Sequence, residues 1–120
     1  MTNTKMWRSL RAALNGFKDV MVHEYTFRKM TVAAILVIIL MFYFPTTRNE
    51  KAILLIMVFA VLTLELINSV IERIMDFVHI EQHEKVGEIK DLMASIVLTV
   101  SVAAASVGLV IFWPYIGWIY

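Results

Sequence analysis

Three long apolar runs, separated by short charged stretches, dominate this chain of 120 residues and decide what it can fold into. They open near Met30, Ala52 and Leu92 and hold almost none of the eleven basic and ten acidic residues. An apolar segment of about 20 residues matches the hydrocarbon thickness of a bilayer as an α-helix, with every backbone group bonded internally. Apolar residues make up 60% of the chain and its mean hydropathy is +0.75, more than a soluble domain of this size carries. The expected fold class is an all-α membrane protein in one domain. The absence of cysteine excludes disulfides and thiolate metal sites.

The N-terminal stretch has a different pattern. Over residues 4–26, Trp7, Leu10, Leu14, Phe17 and Met21 recur at spacings of three and four, while Arg8, Arg11, Asn15, Lys18 and Asp19 fall on other faces. That is the pattern of a basic amphipathic helix lying in the headgroup plane. Its six basic residues up to Lys29, with no continuous apolar core among them, do not make a cleavable signal.

The first span is expected over residues 30–45, closed by the aromatic belt Phe42, Tyr43, Phe44 and by Pro45. Residues 46–51 read as a short polar turn. The second span covers 52–71 and continues as a helix to about residue 78, because no glycine or proline interrupts it. The third covers 92–113, with Ala94, Ser95, Ser101, Ala103, Ala104, Ala105 and Ser106 permitting close helix contact, and an aromatic anchor follows from Trp113 to Tyr120.

Lysine and arginine orient these spans. Nine of the eleven fall before the first span or between residues 73 and 90, and two, Arg48 and Lys51, lie in the turn. The positive-inside rule therefore puts the N-terminus and the 73–91 segment in the cytoplasm. A bundle of three thin helices rarely encloses a site, so a homo-oligomer is expected.

Chemistry concentrates on the second helix. Glu65, Asn68, Ser69, Glu72 and Asp76 stand at offsets of 0, 3, 4, 7 and 11, which is one helix face. An ionised group within an apolar run costs roughly 2.5–3.5 kcal/mol on insertion scales, so Glu65 requires a partner or a purpose. At the edge of the membrane its carboxylate suits general-base abstraction of a hydroxyl proton. A structural hydrogen bond to Asn68 is the plainer alternative. Glu72, together with Glu24 at the end of the surface helix, offers oxygen ligands for magnesium, which characteristically uses one or two carboxylates plus substrate phosphates.

The connection between the second and third spans is dense in His79, Glu81, His83, Glu84, Lys85, Glu88, Lys90 and Asp91. Most of it reads as solvated. Lys90 and Asp91 stand where the third helix meets the membrane, and the lysine there is suited to phosphate oxygens as a point charge. His79 and His83 have the spacing of a zinc pair but lack further ligands at suitable spacing. No glycine-rich Walker loop is present, and scattered basic residues give no support to nucleic-acid binding.

The pattern Glu65-x-x-Asn68-Ser69-x-x-Glu72-x-x-x-Asp76, followed by His83 and Lys90-Asp91, resembles the prokaryotic diacylglycerol kinase family. The resemblance extends to the amphipathic N-terminus, the Glu24-x-x-Phe27-Arg28 segment and the order of the spans. It implies a homotrimeric lipid kinase of the bacterial inner membrane, with sites shared between protomers, that transfers the γ-phosphate of ATP with Mg2+. The acceptor would be diacylglycerol or, in a sister branch, undecaprenol. By resemblance, Glu65 would be the base and Asn68 would position it or the substrate. Glu24 and Glu72 would hold magnesium with ATP, and Asp76, Glu81, His83, Lys90 and Asp91 would belong to the nucleotide site. Glu65, Phe27 and Arg28 would face the lipid. Two positions depart from the family pattern: Met30 stands where an acid is usual, and Met93 where a small residue is usual. A small proton-coupled transporter would also carry a buried glutamate, but nearer mid-membrane and without a ladder of carboxylates. A non-catalytic membrane scaffold would leave the polar stripe unexplained.

Overall fold

The computed structural model describes residues 2–78 and 83–119, with side chains described for residues 3–78 and 84–117. Its elements are four helices, α1 (Thr2–His23), α2 (Tyr25–Tyr43), α3 (Arg48–Val78) and α4 (His83–Ile119). Among the described residues there is no strand. The last three helices are each long and apolar enough to cross a membrane. At 1.5 Å per residue, α2 is about 28 Å long and matches the hydrocarbon layer, whereas α3 at about 46 Å and α4 at about 55 Å must project beyond it.

Helix α3 packs against both α2 and α4, and α1 rests on α2. The result measures 57 × 46 × 22 Å, a layer thin enough to leave most apolar side chains outward. Ile56, Phe59, Leu98 and Val110, for example, are all exposed. In lipid such side chains carry no penalty. Along α1, Trp7, Leu10, Leu14 and Phe17 are likewise exposed, while Val20 is buried.

The best-packed region is the end of the bundle remote from the polar stripe. Met41, Leu54 and Ile111 form a buried cluster, with Val37, Ile38, Val107, Phe112 and Tyr115 against it. Phe44 stacks on Tyr115 with ring centroids 5.8 Å apart and lies 5.9 Å from Phe112. Pro114 sits inside α4 without ending it. Proline removes one backbone donor, a loss that membrane helices accommodate through neighbouring groups.

The α2–α3 connection is tighter than its polar composition implies, because α3 begins at Arg48 instead of after the whole 46–51 stretch. Thr47 and Glu50 explain the early start. The Thr47 backbone N–H donates to Glu50 Oε1 at 2.8 Å, and the Glu50 N–H donates to Thr47 Oγ1 at 3.1 Å. This reciprocal pair is a capping box that satisfies two otherwise orphaned donors. Thr46 Oγ1 donates to the Met41 carbonyl at 2.7 Å and Lys51 Nζ to the Thr46 carbonyl at 2.7 Å, which secures the last carbonyl groups of the turn.

The α1–α2 joint is fixed by Arg28. Its Nη1 donates to the carbonyls of Met21 and Val22, both at 2.8 Å, so a cation sits on the C-terminal carbonyls of α1. Between the helices, Glu24 takes an extended backbone (φ −112°, ψ 104°) at the N-cap of α2.

Candidate functional site

The polar face of α3 forms the floor of the site. Glu65 lies 13 residues after Ala52, where the apolar run begins, about 20 Å along the helix axis, and so stands toward the far side of a hydrocarbon layer about 30 Å thick. It is 2% exposed, and Ser69, one turn further, is 5% exposed. Asn68 is half-buried, and Glu72 and Asp76 are exposed. Along one face the helix thus passes from a buried carboxyl group to solvated ones within three turns.

Three other charged side chains are close enough to act on Glu65 electrostatically: Glu72 from the same helix, and Glu24 and Lys29 from the start of α2. Glu24, at the joint of α1 and α2, and Glu65, on α3, therefore lie within electrostatic range of each other although they are 41 positions apart in sequence. The Lys29 ammonium lies 5.0 Å from the centre of the Tyr25 ring, a cation–π contact that holds the lysine at this joint.

A cleft of about 390 Å³ opens beside the stripe and is lined by Met30, Asn68, Glu72, Lys90, Ala94, Val97, Leu98 and Ser101. It unites the amide of Asn68, the carboxylate of Glu72 and the ammonium of Lys90, drawn from α3 and α4. An amide, an anion and a cation around one opening can bind a phosphorylated group and a divalent cation together. Met30 and Ser101 also line a second, apolar cleft of about 300 Å³ between α2, α3 and α4. At their junction the Ser101 hydroxyl is buried without a hydrogen-bond partner among the described residues. A third cleft, of about 370 Å³, runs between α1 and α3 past Phe17, Asp19, Val20, Ser69 and Arg73.

The other residues singled out from sequence take different positions. Phe27 is 4% exposed and serves packing. Arg28 uses its guanidinium on the α1 carbonyls, as described above. Asp91 is exposed, and its backbone carbonyl accepts from Ser95 Oγ at 3.0 Å. Glu81 and His79 lie outside the described residues, as does the His83 side chain. Met93 is buried at 4% exposure.

A metal at this site would depend on a second source of ligands. Among the described residues no three His, Asp or Glu side chains converge to hold an ion by themselves. Glu24, at the joint of α1 and α2 and half-buried, and Glu72, exposed on α3, are nevertheless an oxygen-only donor set that fits magnesium, whose remaining positions go to phosphate oxygens and water.

Sequence reasoning missed one group. Arg73 Nη1 donates to Asp19 Oδ2, and Arg73 Nη2 lies 3.4 Å from Glu24 Oε1. The Arg73 hydrogen bond is the main reason that the Asp19 carboxyl is held below the usual carboxylate range, partly offset by desolvation. Residues 54 apart carry no periodic signal of such a contact.

The profile of the prokaryotic diacylglycerol kinase family matches residues 11–112. Proteins named diacylglycerol kinase are similar over nearly the whole length. That of Haemophilus influenzae is 32% identical over 107 residues, covering 89% of this chain and 88% of its own. That of Helicobacter pylori strain 26695 is 33% identical over 112 residues, covering 93% and 80%. That of Escherichia coli K12 is 28% identical over 111 residues, covering 92% and 85%. With three membrane-length helices, a carboxylate stripe at the membrane edge and a family match across most of its length, this integral membrane protein belongs to the prokaryotic diacylglycerol kinase family.

Proposed function

We propose that the protein is a lipid kinase that transfers the γ-phosphate of MgATP to the free hydroxyl of diacylglycerol, producing phosphatidic acid and ADP. The observation that carries this reading is the buried Glu65 carboxyl at the membrane edge, under the charges of Glu24, Glu72 and Lys29. A lipid hydroxyl resides at that depth, and nucleotide phosphates approach from the adjoining aqueous side.

In this mechanism Glu65 accepts the hydroxyl proton as the lipid oxygen forms its bond to the γ-phosphorus, and the bond from that phosphorus to the ADP oxygen breaks. Asn68 orients Glu65 or the hydroxyl. Glu24 and Glu72 would hold magnesium, which would supply neutralisation of charge on the phosphates. Lys90 binds phosphate oxygens across the cleft from Glu72, and Asp76, Glu81, His83 and Asp91 complete the nucleotide surroundings. Phosphoryl transfer of this kind depends chiefly on positioning and charge neutralisation, which a few side chains at an interface can supply. The lipid enters laterally between α1 and the spans, where the cleft past Phe17 and Ser69 lies. Phe27 and Arg28 support the joint that faces it.

The assembly in this reading is a homotrimer in the bacterial inner membrane, with the N-terminus and residues 73–91 cytoplasmic and with sites completed by a neighbour. A layer 22 Å thick with outward apolar and small side chains supports such an association. Diacylglycerol is preferred over undecaprenol as acceptor because the relatives described above are named diacylglycerol kinases.

The test is transfer of labelled γ-phosphate from MgATP by purified protein in mixed micelles, with diacylglycerol and undecaprenol side by side. Phosphatidic acid as the main product is expected. Undecaprenyl phosphate as the main product would move the protein to the sister branch, and no lipid product would overturn the kinase reading.

A further inference from the structure

Arg73 has no part in the chemistry above, yet it makes two polar contacts across helices. It follows Glu72 on α3, and its guanidinium reaches Asp19 on α1 and, at 3.4 Å, Glu24 at the N-cap of α2. Its planar fork can serve two acceptors in a fixed relation, which an ammonium cannot do. Glu24 makes no side-chain cap hydrogen bond to its own helix, so no local cap competes with Arg73 for its carboxylate. The Asp19 side chain also pairs with His23 Nδ1 at 2.8 Å, one turn along α1.

The α1–α2 joint has contacts of its own: Arg28 is bonded to the Met21 and Val22 carbonyls, and Thr31 Oγ1 lies 3.6 Å from Met21 Sδ. Arg73 connects this joint to the helix that carries Glu65 and Glu72. Asp19 is the anchor on α1, whereas Glu24 is one of the two carboxylates assigned to the metal. The two arms of one guanidinium therefore have separable consequences.

We propose that Arg73 is a positioning residue that fastens α1 to α3 through Asp19 and aims the Glu24 carboxylate toward Glu72 for a divalent cation carried with nucleotide. This rests on the kinase reading of the site. Loss of the Glu24 arm weakens cation binding, and loss of the Asp19 arm loosens α1. Asp19→Asn affects mainly the second. Exchanging the charges, Asp19→Arg with Arg73→Asp, restores attraction between α1 and α3 but sets a carboxylate beside Glu24, which repels it.

The experiment measures Mn2+ binding by electron paramagnetic resonance in micelles with a non-hydrolysable ATP analogue, and hydrogen exchange of α1 amides in the same samples. Arg73→Gln is expected to weaken Mn2+ binding about tenfold, the lower range for outer partners of a metal site, and to speed exchange in α1. Arg73→Lys, which keeps the charge and guards against a folding defect, is expected to retain α1 protection while still weakening Mn2+ binding. The charge exchange is expected to regain α1 protection without regaining Mn2+ affinity. Native Mn2+ affinity in Arg73→Gln, or full recovery of affinity in the charge exchange, would overturn the positioning role. Failure of the native protein to bind Mn2+ with the analogue would instead overturn the kinase reading, and this inference with it.

Discussion

The Tyr115 hydroxyl donates to Glu50 Oε1 at 2.5 Å, tying the aromatic end of α4 to the first turn of α3. Because Glu50 also accepts from the Thr47 N–H, one carboxylate closes the cap of α3 and fastens a neighbouring helix. The far end of the bundle is thereby fixed, while the polar end keeps its clefts.

Tyr115→Phe keeps the ring that stacks on Phe44 and removes only this bond. The bond runs from a hydroxyl to a carboxylate, so its loss is expected to lower the stability of the folded protein. Unfolding by sodium dodecyl sulfate in mixed micelles would measure it. A variant of native stability would mean that solvent replaces the hydroxyl without loss.

Thr47→Ala removes the side-chain half of the capping box and is expected to destabilise by about 0.5–2 kcal/mol in the same measurement. The effect belongs to the start of α3, so exchange should rise in the amides of residues 48–51 before those near Leu54. Uniform loss of protection along α3 would contradict a local role.

These two contacts mark where the sequence was least legible. The spans were readable because hydrocarbon thickness demands long uninterrupted apolar runs, and the Glu65 stripe because helical periodicity places positions three, four, seven and eleven apart on one face. The polar composition of residues 46–51 concealed the Thr47-x-x-Glu50 box, whose hydrogen bonds outweigh the preference for a loop and start α3 at Arg48. The Asp19–Arg73 contact joins residues 54 apart and leaves no periodic trace, and Arg73 resembled any cation at a membrane boundary. The junction at Met30 and Ser101 depends on how α2 and α4 settle on α3, which periodicity does not specify.

Glu72→Gln removes one of the two carboxylates assigned to the metal. The Mg2+ concentration for half-maximal transfer is expected to rise at least about tenfold, with a smaller change at saturating Mg2+. A loss of turnover that no Mg2+ concentration relieves would instead assign Glu72 to the chemical step.

Asp19 carries a pH prediction. Its carboxyl is held below the ordinary value by Arg73, so its contribution to the folded state is present above the unfolded value of about 3.9 and is lost as pH falls through the lower folded value. The link therefore persists through neutral and mildly acidic solution. Carboxyl-carbon NMR of Asp19 should give a midpoint below about 3.9 in the native protein and a higher one in Arg73→Gln. Equal midpoints in the two proteins would contradict the contact.

The most direct test of the account is γ-phosphate transfer to the preferred lipid by native protein and Glu65→Gln, with helicity and assembly verified for both. The amide keeps the size of the side chain but cannot take the hydroxyl proton, so turnover should fall by about 100-fold or more while assembly is unchanged. Native turnover in Glu65→Gln would contradict its assignment as the base, and with it the mechanism built on the buried carboxyl.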